Sequence, residues 1–191
     1  MIPIALDPKY ARVAVAGNGQ LALRRLRALR TAGAAEALLF ADTPIPELLA
    51  EAGLYRLPAL PNDADLMHLH ALWIVDLTAQ AAQDLAERAR ALRVLVNLED
   101  TSAFCDFHSV AEVRRGDLLL TVSTNGAVPG LAGAIRRNLE GCFTQEWAAR
   151  VVEIATLREG WRAEGLGMPE TAKRINALVD ERGWLACPKF K

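Results

Sequence analysis

The sequence predicts an α/β fold: a Rossmann-like parallel sheet followed by an α-helical C-terminal region. Three observations carry that expectation. The apolar, β-prone run Val13-Ala14-Val15-Ala16 breaks into Gly17-Asn18-Gly19-Gln20-Leu21-Ala22 and then into an Ala/Leu/Arg-rich helical pattern. Short apolar segments then alternate with helical ones as far as residue 123, the pattern of a parallel sheet with helices on both faces. After Pro129 the chain reads as helix only.

Taken in order, residues 12–16 form the first strand and 20–32 a helix stopped by Gly33. Residues 36–41 form a second strand, and Asp42-Thr43-Pro44-Ile45-Pro46 opens a short helix to residue 52. The stretch 55–61 has strand character that its prolines demote. Residues 71–75 are a strand, 79–91 a helix, 93–97 a strand, and 117–123 a further strand ending in Thr124-Asn125-Gly126. Helices follow over 129–139, 145–163 and 169–182. In the second of these, Trp147, Val151, Ile154, Leu157 and Trp161 recur at helical spacing. That stripe reads as internal core or as a partner surface. The domain boundaries fall at 1–112, 113–140 and 141–191.

The glycine turn is the most informative motif. Gly17 permits the turn, Gly19 lets the backbone approach a pyrophosphate, and Ala22 keeps the helix close to the sheet. The helix end adds N–H donors and a positive dipole. The candidate cofactor-binding residues are therefore Gly17, Asn18, Gly19, Gln20, Leu21 and Ala22. Asp42 lies about 20 residues further on, where an acid binds adenosine ribose hydroxyls; it reads equally as the cap of the helix at Pro44.

Composition narrows the class. The chain has 191 residues, 52% hydrophobic content and a formal net charge of −1, which fits a globular domain and argues against a general nucleic-acid binder. The longest apolar runs, such as 71–75, are far short of a membrane span. The N-terminus lacks the basic and apolar regions of a signal peptide. Cys105, Cys142 and Cys187 are odd in number and widely spaced, so reduced thiols in a cytoplasmic protein are expected. His68 and His70 lack a third ligand at metal-binding spacing and read as an ordinary pair; His108 is notable only for its position near Asp100. No metal site is expected. The pairs Arg24-Arg25, Arg114-Arg115 and Arg136-Arg137 read as solvated faces or as anion partners.

From Asn97 onward a succession of motifs appears: Asn97-Leu98-Glu99-Asp100, Phe107, Arg114-Arg115-Gly116-Asp117-Leu118, Val122-Ser123-Thr124-Asn125-Gly126, Pro129 and Leu131-Ala132. It resembles the precorrin-2 dehydrogenase / sirohydrochlorin ferrochelatase family, the N-terminal part of siroheme synthases. The glycine turn and Arg24-Arg25 match that family's start. The resemblance covers residues 1–140 well and is most specific over 114–132; the helical tail matches in length and character.

The resemblance implies an NAD-binding Rossmann domain, a dimerisation region over 113–140 and a homodimer. It implies NAD-dependent oxidation of precorrin-2 to sirohydrochlorin in siroheme biosynthesis, in some members followed by metal insertion. Asp100 matches the family's proposed acid/base group; without the resemblance it reads as a turn residue. Arg114, Arg115, Asn125, Gly126, Arg136 and Arg137 are the implied contacts for a polycarboxylate tetrapyrrole. The sequence departs from the family at the loop Asp76-Leu77-Thr78, at Val110, and at Val128, which replaces a serine. These departures motivate an alternative: a non-catalytic NAD- or tetrapyrrole-binding module of the same fold.

Overall fold

The computed structural model describes residues 2–99 and 101–187. They fall into two compact units, Met1–Ser109 and Val110–Lys191.

The first unit carries a five-stranded sheet in the order β3-β2-β1-β4-β5, parallel at every pairing. Its strands are β1 (Val13–Ala16), β2 (Leu38–Phe40), β3 (Arg56–Leu57), β4 (Ala71–Ile74) and β5 (Leu95–Leu98). Between them run α1 (Gln20–Thr31), α2 (Pro46–Ala52), the single turn α3 (Asp63–Leu66) and α4 (Ala79–Ala91). The prolines at 58 and 61 leave β3 only two residues long, at the sheet edge.

The alternation of side chains along each strand builds two cores. Val13, Val15, Leu39 and Trp73 face Leu23 and Leu26 of α1 and Leu48 of α2. Ala14, Ala16, Phe40, Leu72, Ile74 and Val96 face Leu66 and the α4 stripe Ala82, Leu85, Ala86 and Ala89. That stripe has the i, i+3, i+4, i+7 spacing of a helix with one buried face. Strands covered on both sides need continuous apolar runs, which is why β1 and β4 are legible in the sequence.

The second unit opens with an antiparallel hairpin, β6 (Ala111–Arg115) and β7 (Leu118–Val122). This corrects the expectation of a further strand in the parallel sheet. The two-residue link Gly116-Asp117 has positive φ (57°) at Gly116 alone, the arrangement of a tight hairpin turn. Three helices follow: α5 (Pro129–Cys142), α6 (Trp147–Ala163) and α7 (Met168–Glu181).

Trp147 is only 7% exposed within this single chain. Its ring centroid lies 5.1 Å from Phe143 and 6.2 Å from Trp184, with the Arg150 guanidinium 5.2 Å from both indole rings. Trp147 is therefore internal core and not part of a partner-facing stripe. Val152, beside that stripe, is 61% exposed.

Cys142, at the end of α5, is disulfide-bonded to Cys187, with a Cα–Cα distance of 5.2 Å. This overturns the expectation of reduced thiols for two of the three cysteines; Cys105 is free. Closing a loop with a sequence separation of 45 stabilises by about 2–4 kcal/mol, chiefly by restricting the unfolded chain. Reduction is expected to lower the melting temperature of the helical unit by roughly 10 °C or more. Thermal circular dichroism with and without thiol checks this, with Cys142→Ser as the matched variant. Unchanged melting would remove the disulfide's stabilising role.

Among the described residues, no helix is long and apolar enough to cross a membrane.

Candidate functional site

Strand order reverses at β1: the chain lays β2 and β3 on one side of it, then crosses to β4 and β5 on the other. Ligands of open α/β sheets bind at such a reversal, outside the carboxyl ends of the strands. Residues 17–22 occupy this edge. The Gly17 N–H donates to Phe40 O at 3.0 Å. A Cβ on Gly17 would lie 2.1 Å from the carbonyl oxygen of Val75. The first glycine is thus fixed by the close passage of the chain leaving β4. Ala22 is fully buried, which brings α1 down onto the sheet as the motif predicts.

Asn18 reaches across to the end of β2. Its Nδ2 donates to Asp42 Oδ1 at 2.8 Å, and its Oδ1 accepts from the Thr43 N–H at 3.1 Å. The Asn18 hydrogen bond, with that from the Thr43 backbone, holds the Asp42 carboxyl below the usual carboxylate range. Asp42 does not cap α2, whose N-cap is Ile45 with no side-chain hydrogen bond. Of the two sequence readings of Asp42, the capping one is therefore removed. Arg56 donates to Ala41 O and Asp42 O at 3.1–3.2 Å, a contact sequence reasoning missed because it comes from the edge strand.

The second glycine faces a group of the protein itself. The Asp76 carboxylate fills the space beside Gly19, where a Cβ would come within 2.8 Å of its Cγ and Oδ2. Asp76 Oδ2 also accepts from the Ala22 N–H at 2.9 Å. Gly19 is the N-cap of α1 and supplies no side chain, and the first turn has no acid of its own. Asp76 therefore caps this helix from the β4 loop, a contact worth about 1 kcal/mol. Its backbone has φ of 51°, a conformation in which Asp and Asn are several-fold enriched among non-glycine residues.

At the end of β5, the Glu99 N–H donates to Ile74 O at 3.1 Å and its carboxylate pairs with Arg25 at 2.8 Å. Further along, Asn97 Nδ2 donates to Phe107 O at 2.9 Å, and Asp106 accepts from Val96 N–H and Arg90. The Phe107 ring stands edge-on to Trp73 at 4.8 Å. The motif residues Asn97 and Phe107 thus stitch the segment after β5 back onto the sheet. Asp100 itself lies outside the described residues; it follows Glu99 directly in the chain. Cys105 donates its thiol to Leu98 O at 3.1 Å, and burial pushes that thiol up, so it is a structural group.

The second unit holds the other candidates. Arg114 forks onto Glu112 through two bonds of 3.0 Å. Arg115 donates to Phe143 O and Arg114 O at 2.7 Å, joining the hairpin to the α5–α6 junction. Arg136 pairs with Glu140 one turn on. Arg137 is exposed and has no ion-pair partner among the described residues. Asn125 (φ 55°) and Gly126 (φ 75°) form the turn before α5. Val128, 50% exposed, is the N-cap of α5 without a side-chain cap; its N–H is met by Thr124 Oγ1 at 3.2 Å.

His68 and His70 are exposed, and His70 Nδ1 accepts from the Arg12 N–H at 2.9 Å. No group of three or more His, Cys, Asp or Glu is placed to hold a metal among the described residues. Asp76 and the Arg25–Glu99 pair are the residues that sequence reasoning underweighted. Asp76 and Glu99, which follow β4 and β5, find their partners Ala22 and Arg25 on α1, and only the expectation of a β4 end beside β1 could have signalled them.

A parallel sheet with a glycine turn at its reversal and an acid after β2 defines a dinucleotide-binding protein of the Rossmann class. The family model described as "Putative NAD(P)-binding" matches residues 4–111, and the chain belongs to that family. The chain is 33% identical over 163 residues to a siroheme synthase of Methylococcus capsulatus, covering 83% of this chain and 34% of that protein. It is 35% identical over 141 residues to a siroheme synthase of Chromobacterium violaceum, covering 72% and 30%. Siroheme synthase 1 of Serratia proteamaculans is 30% identical over 185 residues, covering 95% and 36%. The chain thus spans about a third of the length of these relatives. Among solved structures, SirC, a precorrin-2 dehydrogenase, superposes with a TM-score of 0.76 at 22% identity, covering 99% of this chain and 94% of that one. These likenesses bear out the resemblance and the Rossmann-like fold read from the sequence.

Proposed function

We propose that this chain is an NAD-dependent dehydrogenase that converts precorrin-2 to sirohydrochlorin in siroheme biosynthesis. The observation that carries the reading is similarity to siroheme synthases along as much as 95% of the chain, joined to a glycine turn at the sheet's reversal. The residues fit a dinucleotide. The turn from Gly17 to Ala22 would hold the pyrophosphate against α1, and Asp42 Oδ2, which accepts no hydrogen bond among the described residues, would receive ribose hydroxyls.

NAD, when bound, supplies the hydride acceptor. The chain's own task is then to position the reduced tetrapyrrole and remove a proton, so that hydride and proton leave together and the macrocycle gains a double bond. Asp100, one residue past Glu99 at the carboxyl end of β5, is the assigned base. Arg137 is the arginine best placed by its lack of a partner to meet a substrate carboxylate. Arg114, Arg115 and Arg136 would have to exchange existing contacts. Asn125 and Gly126 stand before α5 as further contacts for the macrocycle. Residues 113–140 form the dimerisation region of the proposed homodimer, and the proposed location is the cytoplasm, where the Cys142–Cys187 bond would depend on redox poise.

Anaerobic incubation with precorrin-2 and NAD, followed by absorbance, tests the proposal by the appearance of sirohydrochlorin. Ferrous iron or cobalt added to the same mixture reads metal insertion. The exposed Val128 in place of a family serine favours one second reading, a binding module without turnover; that reading gains if NAD binds and no product forms.

NAD is expected to bind more tightly than NADP. A carboxylate at Asp42 repels a 2′-phosphate, and Arg56, the arginine at this strand end, already donates to two carbonyls. Calorimetric titration with both cofactors checks this, and tighter NADP binding would overturn it.

A further inference from the structure

We infer that Asp76 is a built-in anion at the pyrophosphate turn: it occupies the end of α1 that the cofactor's phosphates need and so weakens dinucleotide binding. The inference rests on the dinucleotide reading above. Three observations on the chain carry it. Asp76 Oδ2 takes the Ala22 N–H of the first helical turn at 2.9 Å. The carboxylate lies against Gly19, 2.8 Å from where a Cβ would stand, so that any side chain at position 19 would push it aside. No Lys, Arg or His forms an ion pair with Asp76 among the described residues, and its carboxylate is met there by the Ala22 N–H.

Helix N-termini attract anions because their N–H groups lack partners and the helix dipole is positive there. One carboxylate already satisfies part of that demand. A pyrophosphate seated on the Gln20 and Leu21 N–H groups would bring its charges within a few ångström of Asp76. Binding then requires Asp76 to swing away, giving up the Ala22 contact, or to remain and repel. Either route lowers the apparent affinity by the cost of reaching the competent state. Asp76 is thus a specificity-determining residue for the charged part of the cofactor, with no role in the reacting atoms.

Two substitutions isolate the charge. Asp76→Asn keeps an oxygen acceptor for the Ala22 N–H and tolerates the backbone φ of 51°. Asp76→Gly tolerates the same backbone and removes the side chain. Calorimetric titration with NAD, ADP and adenosine is the experiment, with thermal melts to verify folding. Both variants are expected to bind NAD and ADP about five- to tenfold more tightly than the parent at low salt. Adenosine, which carries no phosphate, is expected to bind all three proteins equally. The advantage is expected to shrink in 1 M salt, where the Debye length falls to about 3 Å; a merely structural role would show no such dependence. If the parent binds NAD and Asp76→Asn binds it equally or more weakly, the inference is overturned while the cofactor reading stands. If parent and variants are folded and bind neither NAD nor ADP, the cofactor reading fails and takes this role with it.

Discussion

Asp100→Asn is expected to fold normally, bind NAD as the parent does, and lose dehydrogenase turnover by a factor of about 10² to 10⁴, the range for removing a positioned acid/base group. The substitution is nearly isosteric, and position 100 is not part of the Gly17–Ala22 run in the sequence. The segment around it is held independently: Glu99 is tied to Ile74 and Arg25 before it, and Asp106 and Phe107 are tied to β5 after it. Loss of one carboxylate therefore should not release the loop. The comparison variant is Arg137→Ala; in the proposed role that side chain would meet only part of a polycarboxylate substrate, so the variant is expected to raise KM before it lowers kcat. An Asp100→Asn rate within about threefold of the parent would remove the acid/base assignment.

Gly17→Ala is expected to destabilise the first unit by about 3 kcal/mol or more and to abolish dinucleotide binding. The new Cβ would land 2.1 Å from the Val75 carbonyl oxygen. That obstacle is backbone, inside a sheet whose neighbouring strands are in register from Val13↔Ala71 to Ala16↔Ile74, so no side chain can yield. Gly19→Ala meets the Asp76 carboxylate instead, which can rotate away at the cost of a helix cap, about 1 kcal/mol. Urea denaturation of the two variants should therefore rank Gly17→Ala well below Gly19→Ala. Equal stabilities would show that the β1–β4 crossing is softer than its geometry implies.

The sheet was legible because its strands are apolar on both faces and its helices carry one buried stripe, so periodicity alone separates them. The hairpin was not. In Ala111-Glu112-Val113-Arg114-Arg115 only Val113 is buried, and two arginines and a glutamate hide the alternation. The Gly116-Asp117 pair between two β-prone runs was the available signal. The disulfide was missed for a different reason, since spacing cannot show that α5 and the chain after α7 return to within bonding distance. At the site, the glycine turn and Asp42 could be read because their spacing is local to one strand–helix–strand unit. Asp76 and Glu99 act through partners on α1 that only the folded strand order brings near. The arginines at 114, 115 and 136 were legible as types, but their existing engagements were not: Glu112, Phe143 O and Glu140 each hold one already.

The contact between Gly19 and Asp76 makes the order of mutation matter. A side chain at position 19 is obstructed while Asp76 is present, and becomes admissible once position 76 carries glycine. A lineage that first loses the acid gains freedom at the turn, whereas one that first changes the glycine meets a penalty at once. The two positions should show a coupling energy in a double-mutant cycle, although they are far apart in the chain. Drift at this turn is thus directional: Asp76 is the latch, and a change at Gly19 costs more before it is lifted than after.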